Sequence, residues 1–233
     1  MTRHLEIETD KLKRGLLDIA AVVEEALRLA VRAVVEHDAA VARGVIDSCG
    51  VVDRMEVELE EECLKVLALY QPVAGDLRFI VAVLKINSDL ERIGDLTENI
   101  ADRAAALADA VALEIPYDFA GMAEHARRML RGSLDSLSDL DAARARAVCA
   151  DDERVDLINR DMYRRIKAAI QARPDRIDAL LHLLSASRYV ERIADHATNI
   201  AEDVIYLLEG GIVRHALRER PDDTPGAPPP PRA

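Results

Sequence analysis

A twelve-residue segment of this chain occurs twice. Glu91-Arg-Ile-Gly-Asp-Leu-Thr-Glu-Asn-Ile-Ala-Asp102 aligns without a gap with Glu191-Arg-Ile-Ala-Asp-His-Ala-Thr-Asn-Ile-Ala-Glu202, an offset of 100 residues. Seven positions are identical, and an eighth, Asp102 against Glu202, keeps the carboxylate. Self-similarity at so long a period, within 233 residues, implies two tandem copies of one supersecondary unit.

The unit is helical. Half of the residues are hydrophobic, yet only 3% are aromatic and Trp is absent. That composition disfavours sandwiches and barrels, whose strands are rich in aromatic and β-branched residues. Apolar residues recur with a helical period throughout. The first helix runs from about Leu5 to Glu36, and His37-Asp38 is the turn. The second runs from Ala39 to Tyr70, bent near Gly50. Asp76 caps a third, which runs to about Leu113. Pro116-Tyr117-Asp118 opens a fourth, to about Leu140. The fifth spans Ala142 to Ala172 and is broken near Asp151-Asp152. Pro174-Asp175 opens the sixth, which Gly210-Gly211 ends. The expected fold is all-α, six helices forming two pseudo-symmetric three-helix bundles. Residues 1–113 and 116–211 are the two bundles, and 212–233 is a Pro-rich flexible tail.

On a helical wheel the third helix buries Phe79, Val83, Ile86, Leu90, Ile93, Ile100 and Ala104. The sixth buries Leu183, Ala186, Val190, Ile193, Ile200 and Val204. A second stripe begins apolar, with Leu77, Ile80 and Leu84, and becomes Glu91, Asp95, Glu98 and Asp102. Its counterpart leads from Ile177, Leu180 and Leu184 into Glu191, Asp195, Thr198 and Glu202. Carboxylates stacked at i, i+4, i+7 and i+11 repel one another, and a cation offsets that repulsion. Hard cations such as Mg²⁺, Mn²⁺ or Fe³⁺ prefer carboxylate oxygen. The second helix offers Asp53, Glu56 and Glu60, and the fifth offers Asp156, Asn159 and Tyr163, at matching spacing. The candidate metal ligands are therefore Glu91, Asp95, Asp102 and Asp53 in one copy, and Glu191, Asp195, Glu202 and Asp156 in the other. The competing reading is a solvated acidic face paired with Arg92 and Arg192.

Other features limit the function. A net charge of −12 disfavours nucleic-acid binding. Cys49, Cys63 and Cys149, far apart and odd in number, point to a reducing compartment. Neither a signal peptide nor an 18-residue apolar run is read, so the expected location is cytoplasmic and no transmembrane segment is expected. No Gly-rich phosphate loop occurs, so no nucleotide cofactor is expected. C-x-x-C, H-E-x-x-H, G-x-S-x-G and the E-x-x-H of di-iron bundles are absent too. His196, beside the acidic stripe, reads as a surface or outer-sphere residue.

At Asp76-Leu-Arg-Phe-Ile-Val-Ala-Val-Leu-Lys-Ile-Asn-Ser-Asp-Leu-Glu-Arg-Ile-Gly-Asp95 and Glu191-Arg-Ile-Ala-Asp195, the sequence resembles the PhoU family of phosphate-uptake regulators. The resemblance covers residues 5 to 210, and the family's E/D-x-x-x-D motif falls on Glu91…Asp95 and Glu191…Asp195. It implies paired three-helix bundles and metal ions, iron in some members, on those carboxylates. It also implies a regulator rather than an enzyme. Such a protein restrains phosphate uptake and phosphate-starvation signalling, with a transporter ATPase subunit and a sensor histidine kinase as partners. A homodimer is the expected assembly. The second copy departs from the first at Thr198, Asn159 and Tyr163. The alternative function is a carboxylate-bridged metal-dependent enzyme or a metal-storage bundle.

Overall fold

The computed structural model describes residues 3–108 and 117–211. The expected tail, the far end of the third helix and Pro116 lie outside these. Seven α-helices follow one another: α1 (Arg3–Glu36), α2 (Ala39–Ser48), α3 (Gly50–Tyr70), α4 (Ala74–Ala108), α5 (Phe119–Asp139), α6 (Ala142–Ala172) and α7 (Ile177–Glu209). A single 3₁₀ turn, Pro174–Arg176, precedes α7. No strand occurs among the described residues. α2 and α3 are one helix interrupted at Cys49, so six helical rods form two units of three.

The repeat is legible residue by residue in the packing. Leu16, Ile19, Val23, Leu27 and Val34 of α1 are buried, as are Phe119, Met122, Ala126, Leu130 and Leu137 of α5, 103 positions later. Val45, Val52, Leu59 and Cys63 match Val148, Val155, Met162 and Ile166 at the same offset. Between α4 and α7 the offset is 100: Ile86, Leu90, Ile93 and Ile100 match Ala186, Val190, Ile193 and Ile200, all fully buried. The three-residue difference is the connection Gln71-Pro72-Val73 between α3 and α4, for which the second unit has no counterpart.

The turns repeat as well. His37 and Leu140 adopt left-handed φ values of 52° and 54°. The aspartate after each caps the next helix. Asp38 accepts from the Ala40 and Val41 amides at 2.9 and 3.0 Å, and Asp141 accepts from Ala143 and Arg144, both at 3.0 Å.

α4 and α7 pack on each other more extensively than any other pair. They run antiparallel, since Lys85 meets Asp203, Asp89 meets His196 and Arg103 meets His182. The pseudo-twofold therefore passes close to Ile93 and Ile193. α1, α2 and α3 pack on α4, while α5 and α6 pack on α7. The buried residues form one continuous core across both units.

Three sequence expectations shift. Asp76 lies in the first turn of α4 rather than at its N-cap, because Ala74, at φ 49°, already starts the helix. There an acid is favoured by the helix dipole. α6 is continuous through Asp151-Asp152, where Asp151 pairs with Arg154 at 3.2 Å along the helix surface. Ile80 and Leu180 are fully buried, unlike Leu77 and Ile177 on the same expected stripe.

Candidate carboxylate site

The first site lies where α3 crosses α4. Gly94 permits the crossing: a Cβ there would stand 3.3 Å from Val52 Cγ1. Asn87 ties the helices together from one turn away, donating through Nδ2 to the Glu56 carbonyl at 2.9 Å. This brings Asp53 and Glu56 of α3 towards Glu91 and Asp95 of α4. Burial pushes the Glu91 carboxyl above its ordinary range, and Asp95, Glu56 and Asp53 add to the rise against the opposing pull of Arg92. Glu56 is raised by burial and by the charges of Glu60 and Asp53. Cys49, at the α2–α3 break, has its thiol pushed up to about 12 by burial, with further contributions from Glu98, Asp53 and Asp95. Each shift is set first by burial and then by the neighbouring carboxylates. Asp102 contributes to none of them: it is exposed, two turns beyond Asp95 on α4.

In the second unit, burial raises Glu191, and Asp195, Asp156 and Asp152 raise it further while Arg188 opposes them. Glu202 is buried, 6% exposed, and its charge joins Asp152 in raising Cys149, whose thiol is pushed up to about 11 chiefly by burial. Glu191 thus lies within the influence of Asp195, Asp156 and Asp152. Glu202 lies beside Cys149. Asp152 precedes Asp156 by one helical turn, a spacing that placed it on the same face in the sequence.

The oxygen donors of the α3–α4 crossing suit a hard cation, and the raised Glu91 and Glu56 mark repulsion that such a charge would relieve. A protein cation already reaches the cluster. Arg92 Nε stands 3.3 Å from Glu91 and its Nη1 3.3 Å from Asp95. Among the described residues, no group of three or more His, Cys, Asp or Glu side chains is gathered closely enough to hold a metal ion. A bound ion would therefore require Arg92 to swing away and the carboxylates to turn inward.

Sequence reasoning missed the polar seam. Lys85 pairs at 3.0 Å with Asp203, whose side chain is only 2% exposed. Asp89 receives His196 Nδ1 at 2.8 Å and Asn199 Nδ2 at 3.5 Å. His196 is thus an inter-helix tie, whereas Asn99 donates to the Asp95 carbonyl of its own helix. The available signal was the break in the repeat: Asp203 replaces Arg103, and His196 replaces Leu96.

Two three-helix units sharing one core, with carboxylates at equivalent helix crossings, define a duplicated helical-bundle protein. The PhoU domain model matches residues 16–104 and again 119–204, so the chain belongs to the PhoU domain family. It is 38% identical to the phosphate-specific transport system accessory protein PhoU homolog of Aquifex aeolicus, over 89% of this chain and 94% of that protein. It is 33% identical to the homolog of Pseudomonas aeruginosa, over 92% and 89%. The crystal structure of PhoU from Pseudomonas aeruginosa superposes with a TM-score of 0.84 at 33% identity, covering 88% of this chain and 99% of that one. The phosphate transport system regulatory protein PhoU from Streptococcus pneumoniae gives 0.80 at 27% identity, covering 90% and 99%. Among the described residues, no helix is long and apolar enough to cross a membrane.

Proposed function

We propose that this chain is a regulatory accessory protein of phosphate transport that restrains phosphate uptake and phosphate-starvation signalling. In this reading it acts at the cytoplasmic face, by binding a transporter ATPase subunit and a sensor histidine kinase, and performs no catalysis itself. The observation that carries the reading is the family match over both units, with relatives named as accessory proteins of phosphate-specific transport along almost their whole length. The test is a strain lacking the chain, grown in phosphate-replete medium. Uptake of labelled phosphate and a starvation-responsive reporter should both rise, and return to normal on complementation. Unchanged uptake and reporter output would contradict the reading.

A second element of the proposal is metal binding by Glu91, Asp95, Asp53 and Glu56, with Glu191, Asp195, Asp156 and Asp152 as the related set. Its support is the raised carboxyls of Glu91, Glu56 and Glu191, each lifted first by burial and then by neighbouring carboxylates. An ion there would clamp α3 to α4 and α6 to α7, which is a structural or signalling role.

A further inference from the structure

The outer surfaces of α3 and α6 have opposite charge although the cores beneath them match. α3, Gly50–Tyr70, carries six acidic and two basic residues. The equivalent stretch, residues 153–173, which covers the second half of α6 and its capping Arg173, carries three acidic and six basic ones. At the groove positions, Glu56, Val57, Glu60 and Glu61 of α3 are replaced by Asn159, Arg160, Tyr163 and Arg164 of α6. Ser88 of α4 is replaced by Arg188 of α7. Packing does not require the inversion, since Val52, Leu59 and Cys63 of α3 and Val155, Met162 and Ile166 of α6 are buried at the same offset.

The α6–α7 groove has a volume of about 490 Å³ and is lined by Asn159, Arg160, Tyr163, Arg164, Leu184 and Arg188. Its floor is apolar. Tyr163 is 60% exposed, and the α7 stripe continues from Leu184 to Leu181, 45% exposed, and Ile177, 43% exposed. Along one rim, Arg160 and Arg164 pair with partly exposed side chains of their own helix, Asp156 at 3.8 Å and Asp161 at 2.6 Å. Such pairs are worth little and yield readily to an incoming carboxylate. Aromatic and arginine side chains around a concave apolar floor are the composition of an interface centre.

Charge selects the occupant. The chain as a whole carries −12, so its far field repels an anionic membrane or a nucleic acid. Close to the groove the arginines dominate, and a carboxylate on a docked segment meets them within a Debye length. A groove between two helices takes a third helix, read by apolar anchors at i, i+3, i+4 and i+7. We propose that the α6–α7 groove docks an acidic amphipathic helix of a partner protein. The apolar face of that helix lies on Tyr163, Leu181 and Leu184, and its flanking carboxylates meet Arg160, Arg164 and Arg188. This deepens the accessory-protein reading, and rests on it, by naming the surface that holds a partner.

The test is a display library of helical 20-residue peptides selected on the full chain. The recovered peptides are then titrated against wild-type chain and against the R160E/R164E and Tyr163→Ala variants. All three positions are on the surface, so unchanged melting temperatures establish that the variants fold. The expected peptides carry Asp or Glu beside apolar anchors. They lose at least about tenfold in affinity on either variant, and the charge reversal recovers binding to Lys-substituted versions. Recovery of neutral or basic peptides, no recovery, or equal binding to the variants overturns the proposal. So does arginine-dependent binding of the chain to phosphatidylglycerol vesicles without peptide binding, which would make the groove a lipid surface. If R160E/R164E fully restores phosphate control in the deletion strain, the groove is wrong while the accessory role stands.

Discussion

Glu91 sits at the centre of the first acidic cluster, and its ionisation opposes folding. Its carboxyl is raised by burial first and by Asp95 next, with Arg92 pulling the other way. A carboxyl with a raised folded-state pKa binds its proton more tightly in the native chain. That stabilisation is complete below the ordinary Glu range and is lost as pH rises through the higher folded value. Glu91→Gln removes the ionisation altogether. Relative to wild type, the variant should therefore be more stable at pH 7 than at pH 4.5, with a gain at neutral pH of about a few tenths of a kcal/mol, the scale of one like-charge helical pair. Urea unfolding at the two pH values measures it. A variant less stable at pH 7 than at pH 4.5, each relative to wild type, would mean that Arg92 outweighs burial and the neighbouring carboxylates.

At the scale of elements, the two turn–helix junctions are copies of one another and should behave alike. Asp38→Ala and Asp141→Ala each remove a side-chain oxygen that accepts two amide hydrogens at the start of a helix. Each should lower stability by about 1 kcal/mol in chemical denaturation. A large effect at one junction and none at the other would contradict the equivalence of α2 and α6. These junctions also show how far the sequence could be read. The helices, the turn at His37-Asp38 and the repeat were legible because apolar periodicity and capping act locally. The interruption beside Gly50 was legible because Gly is a poor helix former, while Asp152-Glu153, at the same place in the second unit, tolerate helix and leave α6 continuous. Burial along α4 and α7 was less legible. One wheel per helix assumes one partner, whereas α4 contacts α1, α2, α3 and α7, and α7 contacts α4, α5 and α6. Hence Asp203 and Glu202 are buried, and Asp102, placed by its spacing in the acidic column, is exposed. Glu91, Asp95, Glu191 and Asp195 were found because the repeat preserved them. Cys49 was not, because its place beside the cluster depends on how helices cross, whereas Asp152 was passed over although its spacing put it on the Asp156 face.

At the scale of the whole molecule, one core spans both units and an ion at either crossing would brace it. If Mg²⁺, Mn²⁺ or Fe³⁺ binds the folded chain alone, a hundredfold excess over the dissociation constant stabilises it by roughly 2.7 kcal/mol through mass action. The melting temperature should rise with metal. The rise should disappear when Glu91 and Asp95 are replaced together by Gln and Asn, with the apo protein still folded. A double variant that responds as strongly as wild type would leave the acidic face to Arg92, Arg188 and water. The central claim concerns partners, and it is tested most directly by binding between purified components. The ATPase subunit of the phosphate transporter from the same organism is titrated with the full chain in a calorimeter, at physiological salt and with phosphate present. The account predicts a saturable complex of defined stoichiometry. No detectable heat, together with no co-elution from a sizing column at the same concentrations, would contradict it.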